Sequence, residues 1–116
     1  MFAGTKVMIG EKEYIIPPIS LGQLRNGTLP LLQKHDELVA EGRTFEAMEV
    51  RGQVLLSAIR RNYPDFPETE LFDYLDMSNV GPLWLTILGA SGFTPGEAQA
   101  AETAMINGTS VPSIEA

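Results

Sequence analysis

The chain has 116 residues, 44% hydrophobic and 20% charged, the composition of one globular domain built around a single core. Fifteen Asp and Glu against eight Lys and Arg give a formal net charge of -7, which disfavours nucleic-acid phosphates and anionic lipid surfaces as partners. With no cysteine there are no disulfides, thiolate nucleophiles or Cys-based metal sites, and His35 is the sole imidazole.

Met1 to Lys6 lacks the basic segment and apolar run of a secretory signal, so a cytoplasmic protein is expected. Two short β-rich runs, Lys6–Ile9 and Glu13–Ile16, flank Gly10-Glu11-Lys12 and predict a hairpin. An isolated two-stranded ribbon is marginal in water, so its apolar face must rest on the body or its edge must pair with another chain. Pro17-Pro18 stops the second strand. Ser20 and Gln23 have capping-box spacing, with Ile19 and Leu24 placed as a staple, so a helix is expected from about Leu21. Asn26-Gly27 and Pro30 should kink or divide it, Thr28 capping a second piece that carries Leu31, Leu32, His35, Leu38 and Val39 up to Gly42.

From Thr44, Phe45, Met48, Gly52, Leu55, Leu56, Ile59 and Tyr63 recur at helical intervals, predicting a long helix that buries this face and leaves Glu46, Glu49, Arg51, Gln53 and Arg60 mostly outside it. Asp65-Phe66-Pro67-Glu68 reads as a capping box for a short helix with Leu71, Phe72 and Leu75, and Ser78 as the cap of a last helix with Val80, Leu83, Trp84, Ile87 and Leu88. The longest mostly apolar stretch, 80–93, is interrupted by glycine and proline and falls well short of the ~20 residues of a membrane span. The expected architecture is mainly α: a small bundle of four to five helices with an N-terminal hairpin over 1–92, then a flexible, acidic, Ala-rich tail over 93–116 with at most one exposed helix.

The parts for catalysis are few. Gly89-Ala90-Ser91-Gly92-Phe93 is out of register for a nucleophile elbow and reads as a helix C-cap. His35-Asp36-Glu37 has no second histidine with which to hold a metal, so His35 reads as a partly buried or interfacial residue. The carboxylate pairs Glu46/Glu49 and Asp73/Asp76 share helical faces, but solvated acids with Arg43 and Arg51 nearby read as surface charge. Gly10-Glu11-Lys12 lacks the spacing of a phosphate loop. Arg60-Arg61 beside Tyr63 is too small a basic patch for nucleic acid and suits a helix C-terminus, with pairing to an acidic partner left open. Trp84, Phe66, Phe72 and Leu71 read as core first and as an exposed contact patch second.

Three passages in order are Tyr14-Ile15-Ile16-Pro17-Pro18-Ile19-Ser20-Leu21, Ala58-Ile59-Arg60-Arg61-Asn62-Tyr63-Pro64 and Leu83-Trp84-Leu85-Thr86-Ile87-Leu88-Gly89-Ala90-Ser91-Gly92-Phe93. By their order and spacing, over about residues 5 to 95, the chain resembles the tail assembly chaperone family of long-tailed bacteriophages and prophages. The resemblance implies a non-enzymatic factor without cofactors that binds the tape measure protein in the host cytoplasm. It also implies help in recruiting tail tube subunits, absence from the mature virion, and a family habit of frameshifted longer products. The Asn26-Gly27 break departs from the family pattern and bears on any groove beside the first helix. An acidic helical body could hold an amphipathic helix in a groove. Leu55, Ile59, Leu83, Trp84, Ile87 and Leu88 would form the core beneath, with Tyr14, Arg60, Arg61, Tyr63 and Phe66 near the contact. The alternative is a small structural tail-completion or connector protein of the virion, also able to self-associate through a strand edge.

Overall fold

The computed structural model describes residues 1–93, and the expected tail from residue 94 onward lies outside them. The described residues are mainly helical behind an N-terminal hairpin. Strands β1 (Thr5–Ile9) and β2 (Lys12–Ile16) pair antiparallel from Thr5↔Ile16 to Ile9↔Lys12. The reversal between them puts Gly10 at φ +66°, a conformation that costs glycine nothing. Alternation turns Ile9 and Ile16 into the core and leaves Met8 outside.

Ser20 and Gln23 form the expected capping box, and the single turn α1 (Leu21–Gln23) follows. The expected break takes the form of a π-turn over Leu24–Thr28, closed by the Leu29 amide on the Leu24 carbonyl, with Gly27 leaving helical geometry. Pro30, at the start of α2 (Leu29–Ala40), has no N–H to donate and stands in the first turn, where a helix tolerates proline. Thr28 does not cap α2 as expected. It is buried, its backbone is already helical, and its hydroxyl pairs with Ser57 Oγ at 3.0 Å, tying this segment to the next helix. Gly42 (φ +72°) ends α2 with the Arg43 amide on Leu38 O (2.9 Å) and its own amide on Val39 O (3.0 Å), the paired bonds of a Schellman cap.

Helix α3 (Thr44–Arg60) is the axis of the domain, with α2, α4 (Glu68–Tyr74), α5 (Val80–Ala90) and β2 all packed against it. Being surrounded, it buries residues on most of its circumference, including Ala47, Val54, Leu55, Ala58 and Ile59. Two expectations fail, each through what does or does not cover that part of α3. Phe45 lies at the open first turn, where no element covers it, and is 71% exposed. Arg51, expected as surface charge, is 0% exposed. Its Nε donates to His35 Nε2 at 3.0 Å, and its guanidinium lies 4.9 Å from the centre of the Trp84 ring. Arginine only donates, so Nε2 accepts, the proton sits on Nδ1, and Nδ1 donates to Asp36 Oδ1 at 3.1 Å. The His35 ring leans on Trp84 at 4.7 Å between centroids, so His35 is a core residue and both its nitrogens are used.

Two further caps differ from expectation. Pro67, in extended backbone, precedes α4, and no side chain caps it, so the Asp65 capping box does not form. Ahead of α5, Asp76 acts in place of Ser78: its carboxylate accepts from the Ser78 and Asn79 amides (2.8 and 2.9 Å) and from the Ser78 hydroxyl (2.6 Å). Those donors, the hydroxyl first, then the Asn79 and Ser78 amides, hold the Asp76 carboxyl below its ordinary value. Leu83, Trp84, Ile87 and Leu88 of α5 meet Leu55 and Ile59 in the core as expected, and a second Schellman cap at Gly92 (φ +98°) folds Phe93 back against it. Among the described residues no helix is long and apolar enough to cross a membrane.

Candidate functional site

Proline stops β2 and forces the chain away from the sheet, so the hairpin's exit needs partners other than a third strand. The end of α3 supplies them. Asn62 Nδ2 donates to Ile15 O (2.8 Å) and Phe2 O (2.9 Å), Asn62 Oδ1 accepts from the Phe2 amide (2.7 Å), and the Tyr63 hydroxyl accepts from the Ile15 amide (2.9 Å). The outer edge of β2 at Ile15 is thereby closed by side chains. Arg61 Nη1 donates to Pro18 O (2.8 Å) and its guanidinium stacks 3.9 Å from the centre of the Phe2 ring, while Ser91 Oγ accepts from the Ile19 amide (3.0 Å).

The five residues expected near a partner contact therefore do come together, around this joint. Tyr14 meets Tyr63 and Phe66 edge-to-face, each at 5.1 Å between ring centroids. Its hydroxyl pKa is raised, by partial burial first and then by the Glu70 carboxylate, to which it makes a long 3.4 Å bond. Arg60 donates twice to Phe66 O (3.0 and 2.8 Å), fastening the turn that leads to α4. Phe66 is 5% exposed and offers no surface to a partner. The two arginines bond to carbonyls of the chain's own loops, at Phe66 and Pro18.

Surface open to a partner lies elsewhere, between the first half of α3, α4 and the loop before α5. Phe45, Met48, Phe72, Leu75 and Met77 line a groove of about 270 Å³ together with Glu49 and Asp76. Met77 is 68% exposed, and Phe45 stands out beside it. Phe72 forms the wall between this groove and a second trough bordered by Val50, Gln53 and Glu68. That wall can approach α3 because residue 52 is glycine: a Cβ there would stand 2.5 Å from Phe72 Cζ. The sequence reading missed this site. Phe72 reads as a contact patch only second to core, and Met77, a large apolar residue in the polar run Asp76-Met77-Ser78-Asn79 with no helical face to join, is a further local signal.

Ser20, Ser57, Thr28 and Ser91 spend their hydroxyls on structural bonds, and Glu46 is paired with Arg43, which lowers the Glu46 pKa and raises that of Arg43. Among the described residues no three His, Asp or Glu side chains are grouped so as to hold a metal ion. Comparison with protein-family models, curated proteins and solved structures returns no match.

Proposed function

We propose that the chain is a tail assembly chaperone of a long-tailed phage or prophage, a non-enzymatic protein that holds the tape measure protein during tail construction and assists recruitment of tail tube subunits. One observation carries this reading. The three passages behind the resemblance, tens of residues apart, are bonded into one joint, through Ile15, Pro18 and Ile19 from the first, Arg61, Asn62 and Tyr63 from the second, and Ser91 from the third. Three unrelated caps have no reason to share an order and spacing; three parts of one joint do.

Mass spectrometry of purified phage particles tests the reading. A chaperone is present in the producing cells and missing from finished particles. Recovery in fixed stoichiometry with the tail proteins would contradict it and favour a tail-completion or connector protein.

A further inference from the structure

We propose that the groove between α3 and α4 is the docking site for an amphipathic helix of another protein, one whose stripe of large apolar side chains is flanked by lysine or arginine. This deepens the chaperone reading and rests on it for the partner's being a helix to be shielded. A groove walled by Phe and Met is suited to such a guest, because methionine's unbranched, polarizable side chain adapts to irregular apolar shapes and an open channel between helices accepts a third.

Charge selects the occupant. Glu49 borders both the groove and the trough beyond Phe72, and no side-chain bond holds it among the described residues. Asp76 also lines the groove, and Glu68 lines the trough that shares Phe72 with it. The nearby cations are Lys34 on the trough and Arg43, the latter committed to Glu41 and Glu46. A basic-flanked helix would pair with Glu49 and be drawn by the negative charge of Asp76 and Glu68, whose carboxylates already accept from Ser78, Asn79 and Gln53. A second copy of the chain, at net charge -7, would set like charges against them, and residues 94–116 contain three glutamates and no lysine or arginine.

The test uses the full chain and two labelled helical peptides of about 20 residues, long enough to cross the domain. They share one leucine stripe and differ in having lysine or glutamate on its flanks. Fluorescence anisotropy should show the lysine peptide binding about tenfold or more tighter at low salt, with the gap narrowing as salt is added. Glu49→Lys should reverse the preference. Phe45→Ser with Met77→Ser should weaken binding about tenfold or more and leave the thermal midpoint unchanged, since both side chains lie largely in solvent. Equal binding of the two peptides, no binding, or binding indifferent to the groove variants would overturn the proposal, as would a dimer at this face that the peptide displaces. Failure of the wider reading looks different: particles that contain the chain would remove the chaperone role while leaving peptide binding intact, and a tape measure protein kept soluble by the groove variants would remove the groove alone.

Discussion

Gly52→Ala sets two effects of opposite sign against each other at one atom. In the middle of a 17-residue helix, alanine is favoured over glycine by about 1 kcal/mol. At this position the new methyl would lie 2.5 Å from Phe72 Cζ and 2.8 Å from Cε1, where carbon atoms normally keep about 3.5–4.0 Å. The ring must retreat by about 1 Å or more, giving up contact with α3, and overpacking of this kind costs about 1–3 kcal/mol. The net expectation is a loss of about 1 kcal/mol. With Phe72→Ala the obstacle is gone and the same substitution should stabilise by about 0.5–1 kcal/mol, so the two sites couple by about 2 kcal/mol. Urea denaturation of the four proteins measures this directly. Stabilisation by Gly52→Ala in the wild-type background, or additivity within about 0.5 kcal/mol, would refute the close packing of Phe72 on residue 52.

Asn62→Ala removes three bonds to Phe2 and Ile15 and should cost about 1–3 kcal/mol, with faster amide exchange concentrated in the hairpin; uniform exchange across the domain would argue against a local clamp. His35→Ala leaves Arg51 Nε without its buried acceptor and opens space beside Trp84, so a loss of about 3 kcal/mol is expected, together with a shift in emission of the sole tryptophan. Asp76→Asn should lower the thermal midpoint at neutral pH and flatten its acid dependence. The folded-state pKa of Asp76 is depressed, so its stabilisation is present above the ordinary carboxylate range and is lost as pH falls through the lower folded value, below about pH 4. An unaltered acid limb in the Asn variant would contradict this.

What was legible in the sequence was what short stretches decide for themselves. Ser20 and Gln23 three residues apart, glycine at 10, 42 and 92, and the prolines at 17 and 18 set turns, caps and stops wherever the rest of the chain lies. Arg51 and Phe45 were misplaced because their burial depends on what surrounds α3, and a helix covered on most sides has no single apolar stripe to read. Asp76 and Ser78 are both good capping residues; the loop's closure, with Asn79 Oδ1 accepting from the Asp76 amide and Asn79 Nδ2 donating to Tyr74 O, selects the first. The residues expected near a contact lie around one joint that their polar atoms serve, whereas the exposed groove is assembled from three segments, which no short stretch of sequence reveals.

The proposed function is to shield another polypeptide's apolar helix with no bond made or broken. Co-expression with the tape measure protein of the same phage, followed by measurement of that protein's soluble fraction, tests it most directly. The soluble fraction should rise several-fold with the wild-type chain and fall back when Phe45 and Met77 are both serine. A soluble fraction that the wild-type chain leaves unchanged would contradict the claim.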